Sequence, residues 1–291
     1  MRIIFKLALS LALIAAPVAA CAQAQPTPVE DNGGGALNLA PVKIELEASQ
    51  GRKVPATLWE APDARGVIVF GHGHGGTPEA YRRLIQRWVE SGFIVVGATH
   101  LDSLAHPDRA SYTPQTGFMT RLEDVNLLVA EAGRRFPGKP VVAAGHSYGS
   151  YFAAILGGAA TPFGPRSNPA VKAVVALSSP GAIEGLITPD TYKELATPTL
   201  MVTGDKDLVP GFVTDWTAHR LPFDTSPEGG KYLMLFEGGD HALARTLEGE
   251  RFDAMADATV DFMQAMALRD RGAWERLNNA RLPEGVTLEK R

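Results

Sequence analysis

The chain has 291 residues, 45% of them hydrophobic, with a net charge of −4 and a pI near 6.0. That apolar content can fill the core of one or two domains and excludes a disordered or collagen-like chain. No block of Lys or Arg occurs, so a nucleic-acid partner has no electrostatic footprint.

The N-terminal stretch stands apart. Arg2 and Lys6 give a positive start, residues 7–16 form an apolar run, and small residues follow from Ala19 to Ala24. Charge, apolar and small-residue zones in that order predict a secretory signal peptide over 1–20, against the competing reading of a core helix. The run is too short for a stable membrane span. Cys21 is the only cysteine, so no internal disulfide can form. Val18-Ala19-Ala20-Cys21 resembles a bacterial lipobox, which would make Cys21 a lipid anchor. Cleavage after Ala22 or Ala24 fits the small-residue rule equally well. Either way the chain is expected to be exported: periplasmic, secreted or lipid-anchored in the cell envelope. Residues 21–41, rich in Ala, Gln, Pro and Gly, read as a flexible tether.

From residue 42 the pattern changes. Val42, Ile44 and Leu46 alternate with polar neighbours, as in a half-exposed strand. A second strand is expected at 54–60, after a turn at Gln50-Gly51. Continuous apolar runs then occur at 66–70, 93–97, 140–144, 171–177, 199–203 and 232–236. Strands buried on both faces read this way and belong to parallel sheets. Between them, 78–91, 120–136, 147–157 and 252–268 carry apolar residues at helical spacing. The alternation predicts an α/β domain over 42–270, with a mostly parallel eight-stranded sheet and helices on both faces. Residues 271–291 are charged and read as a C-terminal appendage, helical in part.

The sharpest signal is Gly145-His146-Ser147-Tyr148-Gly149. It matches G-x-S-x-G, follows a buried-strand candidate and precedes a helix, the context this pattern requires. A strand-to-helix turn this tight strains the serine backbone, and the flanking glycines remove Cβ groups that would clash. The pattern and its context predict the α/β-hydrolase fold with Ser147 as nucleophile. Such a serine needs a base, and the base needs an orienting acid, in the chain order Ser, Asp or Glu, His. Two histidines follow Ser147. His241, just past the 232–236 strand, is the expected base. His219, inside an expected helix at 213–219, reads as a surface residue. Asp205 and Asp207 compete for the acid. Asp207 is preferred because it sits beyond the strand end, and Asp205 is expected to hold the turn.

An oxyanion hole takes one N–H from the residue after the nucleophile, Tyr148, and one from the loop after the third strand. That loop is Gly71-His72-Gly73-His74-Gly75-Gly76, and the N–H of His74 is the candidate donor. A zinc site built from His72, His74, His100, Asp102 and His106 is the competing reading. Their spacing matches no H-E-x-x-H pattern, so no metal is assigned. His72 is then expected to brace the loop and His100 to line the pocket.

Gly71–Gly76, Gly97-Ala98-Thr99-His100, Arg121-Leu122-Glu123-Asp124-Val125 and Gly145–Gly149 occur in that order. Together they resemble the dienelactone-hydrolase-like and platelet-activating-factor-acetylhydrolase-like α/β-hydrolases, with cutinase-like polyester hydrolases as structural cousins. The resemblance spans roughly 42–268. It implies His74 and Tyr148 as oxyanion donors and structural roles for Arg121 and Asp124. Ser147 stands where true dienelactone hydrolases carry a cysteine.

The expected activity is hydrolysis of a small or accessible carboxylic ester through an acyl-enzyme, with no cofactor. A thioesterase or peptidase would use the same triad. A non-catalytic cell-envelope binding protein on this fold is the reading from another class. The short connection at 180–197 implies little or no lid, and 101–118 is the other long loop that could shape a pocket.

Overall fold

The computed structural model describes residues 40–291. The expected signal peptide, Cys21 and all but the last two residues of the expected tether lie outside the described residues. Among the described residues no helix is long and apolar enough to cross a membrane.

β1 (Val42–Glu47) pairs antiparallel with β2 (Lys53–Trp59). The chain then runs through β3 (Gly66–Gly71), α1 (Arg82–Glu90), β4 (Phe93–Ala98) and α2 (Pro114–Arg135). β5 (Val141–His146), α3 (Tyr148–Gly157), β6 (Val171–Leu177) and β7 (Thr199–Lys206) follow. After α4 (Leu221–Thr225) come β8 (Lys231–Asp240), α5 (Leu243–Thr246), α6 (Gly249–Ala267), α7 (Arg271–Asn278) and β9 (Val286–Lys290).

The strands lie in one sheet in the order β1-β2-β4-β3-β5-β6-β7-β8-β9. The stretch from β4 to β8 is parallel, with antiparallel strands at both edges. Successive side chains on a strand point to opposite faces. Ile68 and Phe70 of β3 therefore pack with Trp88 of α1 and Phe262 of α6. Val67 and Val69 pack with Val125 of α2 and Phe152 of α3. Covered on both faces, the central strands read in sequence as unbroken apolar runs.

Two expectations change. The sheet has nine strands among the described residues, because 271–291 is no appendage: α7 packs on α6 and β9 zips onto β8 from Val286↔Phe236 to Lys290↔Tyr232. β9 is a five-residue edge strand in which Val286 and Leu288 alternate with Thr287, Glu289 and Lys290, so it lacks the continuous apolar run that marked the others. The helix expected at 120–136 begins at Pro114. Thr113 and Thr116 form a capping box, with Pro114 at the first helical position. That start lies ahead of the apolar stripe.

The chain reverses direction across the sheet at β3, with β4 on one side and β5 on the other. The crevice beyond the carboxyl ends of β3 and β5 is the switch point where open α/β sheets bind ligands.

Candidate active site

Ser147 joins β5 to α3 at φ 52° and ψ −124°, in the left-handed half of backbone space that a non-glycine residue rarely occupies. Its N–H donates to the Leu177 carbonyl at 2.8 Å, fixing the turn against β6. The glycines on either side are required by close backbone approach. A Cβ on Gly145 would lie 2.4 Å from the Gly149 carbonyl carbon, and one on Gly149 would lie 2.1 Å from the Gly71 carbonyl oxygen. Neither neighbour is a flexible side chain, so Gly149→Ala must push α3 off β3. It is expected to cost about 1–3 kcal/mol or more in urea denaturation. A loss under a few tenths would mean that the helix slides freely.

Three side chains converge here from separate strand ends. His241, immediately after β8, has Nε2 2.9 Å from Ser147 Oγ, and its Nδ1 lies 2.7 Å from Asp207 Oδ1. Asp207, just after β7, is buried, and its Oδ2 accepts from the Thr203 hydroxyl at 2.8 Å. Asp205 points elsewhere: its Oδ1 accepts the Gly238 N–H at 2.6 Å and braces the turn that carries His241. Burial pushes the Asp207 carboxyl up, but hydrogen bonds from His219 and then His241 outweigh it and hold the group well below the ordinary carboxylate range.

His219 is not a surface residue. It is buried on a short 3-10 turn, Trp216–Arg220, with Nε2 2.9 Å from Asp207 Oδ1 and 2.8 Å from the Asp207 carbonyl oxygen. Its other nitrogen, Nδ1, faces the Ser179 carbonyl. Nothing local announced this role, because the turn is too short to show a period and its partners come from three other loops.

The loop after β3 is held from below. Arg121, fully buried on α2, donates to both Asp102 carboxylate oxygens at 2.5 and 2.8 Å and to the His72 carbonyl at 2.8 Å. Asp102 in turn accepts the Gly75 N–H at 3.0 Å. The Gly73 N–H donates to the Tyr81 hydroxyl at 3.3 Å. Among the described residues, the N–H groups of His74 and Tyr148 have no protein acceptor. They remain available beside Ser147, whose Cβ is 3.4 Å from where a Cβ on Gly73 would sit.

His146 occupies the variable position before the serine and ties the two loops together. Its Nε2–H donates to the His241 carbonyl at 2.7 Å, and Nδ1 accepts from the Tyr81 hydroxyl at 2.8 Å. The run from Gly73 through Tyr81 and His146 to His241 is continuous. Its position inside the pentapeptide was visible in the sequence, but its bonding was not.

Within the set weighed for zinc, His72 and His100 are tied to neighbouring protein groups, although His100 Nε2 has no partner among the described residues. His72 Nδ1–H donates to the Gly73 carbonyl at 2.7 Å, and Nε2 accepts the His100 N–H at 3.1 Å. His100 bonds Asp124 at 2.8 Å, which also accepts from Arg52 at 2.6 Å. Among the described residues the ligand-type atoms close enough to share an ion belong to Asp207, His219 and His241.

Burial, followed by the Arg121 charge, lowers the pKa of His72 and His100 below the ordinary histidine value of 6.5. Burial and then His241 pull His146 down to about 3. The unfolded chain therefore binds protons near pH 6.5 that these three folded rings refuse. Stability is full above that value and falls as the pH drops below it, by roughly 1.4 kcal/mol per pH unit for His146, with His72 and His100 adding in the same direction. Asp102 and Asp207, held low, add a loss only below their ordinary 3.8. His219, shifted upward, contributes fully below 6.5 and loses its contribution as the pH rises through its raised value. Urea denaturation from pH 7 to 4.5 is expected to show a loss of several kcal/mol. A flat profile would contradict three buried neutral histidines.

The chain matches the family model for serine aminopeptidases of the S33 type over residues 62–189, a span that includes Ser147 and ends before Asp207. No curated protein matches it in sequence. Among solved structures it is similar to the Thermus thermophilus protein TT1662, at TM-score 0.54 and 18% identity, over 77% of this chain and 97% of that one. The esterase domain of a Rhodothermus marinus protein superposes at TM-score 0.55 and 12% identity, over 78% and 99%. An alpha-beta serine hydrolase homologue from Coxiella burnetii gives 0.56 and 16%, over 80% and 98%. At these identities the likeness concerns the fold.

Proposed function

We propose that this chain, a serine hydrolase of the α/β-hydrolase superfamily, cleaves a carboxylic ester through Ser147, His241 and Asp207. The observation that carries the reading is the line from Ser147 Oγ to His241 Nε2 at 2.9 Å and from His241 Nδ1 to Asp207 Oδ1 at 2.7 Å. In this reading Oγ attacks the ester carbonyl as its proton passes to Nε2. Asp207 stabilises the imidazolium, and the N–H groups of His74 and Tyr148 receive the oxyanion. Collapse releases the alcohol, which takes the proton from His241. Water then repeats the sequence on the acyl-serine and frees the acid.

An ester is favoured by the side chains exposed around the site. Leu104 lies against Gly75 of the oxyanion loop, and Leu208 and Phe212 stand out from the loop that carries Asp207. Apolar side chains left in water beside the loop that carries His74 and on the loop that carries Asp207 suit an apolar acyl or alcohol group. The aminopeptidase reading draws on the family match and requires a carboxylate free to hold a substrate ammonium. The buried carboxylates at the site, Asp102 and Asp207, are already paired with Arg121 and with the two histidines.

The test is hydrolysis of p-nitrophenyl esters from acetate to palmitate, beside aminoacyl p-nitroanilides. Ester turnover with a short-chain optimum supports the reading. Turnover confined to the anilides replaces it with the peptidase, and turnover of neither, with hydrolysis of an added acyl thioester, points to the thioesterase. For location we propose export, with Cys21 lipidated or removed; intact mass of the mature chain distinguishes the two.

A further inference from the structure

We propose that His219 is a positioning residue, an imidazolium that clamps Asp207 and through it tempers His241 as a base. The inference rests on the triad reading above and concerns a group which that reading does not use. The argument is one of hydrogen-bond parity. Both nitrogens of His219 face only acceptors: Nδ1 the Ser179 carbonyl, Nε2 the Asp207 carbonyl at 2.8 Å and the Asp207 carboxylate at 2.9 Å. A neutral ring has one N–H and one lone pair. With either tautomer a lone pair would be pressed against an oxygen in a fully buried site. Only the doubly protonated ring satisfies both sides. Burial opposes the charge, and the hydrogen bond and charge of Asp207 overcome it, so protonation is favoured above the ordinary histidine value.

The consequence falls on His241. Asp207 Oδ1 receives His241 Nδ1 at 2.7 Å and His219 Nε2 at 2.9 Å, so one carboxylate oxygen serves two rings. The rings stack 5.7 Å apart at 30°. A carboxylate already paired with a cation attracts a second imidazolium less, so the imidazolium that His241 forms on taking the serine proton is held less strongly than beside a lone aspartate. The other titratable groups packed around the three are His146, 5.0 Å from the His241 ring, Tyr81 bonded to His146, and Arg245 over the Tyr81 ring. Arg220, the next residue on the His219 turn, is occupied by Glu289 and Asp224.

The experiment uses the whole protein and a fluorophosphonate, whose fluoride is displaced by Ser147 Oγ as His241 takes the proton, so no natural substrate is needed. The labelling rate of the unsubstituted protein is measured from pH 5 to 9, beside His219→Gln, whose amide can still donate to Asp207 but carries no charge. The midpoint of the rising limb is expected to move up by about one pH unit, the order expected for losing a charge 5–6 Å away, with a roughly tenfold slower rate on that limb. A lower plateau with an unmoved midpoint would overturn the proposal and leave His219 a packing residue. Nitrogen NMR of histidine-labelled, unsubstituted protein is independent of whether the variant folds. It should show both nitrogens of the His219 ring protonated at pH 7.5, and one unprotonated nitrogen there overturns the proposal. No labelling of unsubstituted protein at any pH would instead reject the hydrolase reading, while the NMR result would still decide the charge of His219.

Discussion

Ser147→Ala is expected to lower ester turnover by roughly 10⁴- to 10⁶-fold and to abolish fluorophosphonate labelling, with little change in stability. The Oγ makes one hydrogen bond, to His241 Nε2 at 2.9 Å, and no other group stands in that place. Ser150 is the next hydroxyl along the helix, and its Oγ donates to the Ser147 carbonyl at 2.6 Å, so it cannot substitute. The backbone at φ 52° costs alanine about as much as serine, so the fold should persist. His241→Ala should fall nearly as far, and the double variant little further, because the groups act as one unit. Activity within tenfold of the unsubstituted protein in Ser147→Ala would end the serine-hydrolase mechanism for this site.

The largest loss of stability is expected at Arg121. Arg121→Met leaves Asp102 buried without its guanidinium and removes the donors to the His72 and Gly73 carbonyls. Removing one partner of a buried pair costs about 3–5 kcal/mol, since the remaining charge keeps its desolvation penalty. Arg121 also lies over the Tyr148 ring at 5.0 Å, so the two loops beside Ser147 share its support. Turnover should fall along with stability, because the N–H of His74 is positioned by that loop. The pair Arg121→Met with Asp102→Leu should recover a large part of the stability, since no unpaired charge remains, while turnover stays low. Urea denaturation of the four proteins gives the coupling energy. A coupling below about 1 kcal/mol would mean that the ion pair does not hold the loop.

How much was legible follows from how far each feature reaches along the chain. The strand, turn and helix around Gly145–Gly149 are contiguous, so steric need and hydroxyl placement could be read from five residues and their flanks. The period of the apolar runs marked the buried parallel strands for the same reason, because burial on both faces removes alternation. Asp207 over Asp205 could be preferred from the distance past the strand end, but the bond to Gly238 that occupies Asp205 joins residues 33 apart in sequence. β9 escaped because a five-residue edge strand whose apolar residues are only Val286 and Leu288 carries no continuous apolar run. His219 escaped for a deeper reason. Its partners are Ser179, Asp207 and His241, each at the end of a different strand, and only the order β6-β7-β8 in the sheet brings those ends together. The sequence alone determined the periods, the elbow and the types of residue at the strand ends, since those depend on neighbours along the chain. The tertiary structure decided which ends meet and which polar groups are buried. That arrangement is what leaves His219 facing oxygens on both sides and Arg121 enclosed beneath the loop after β3.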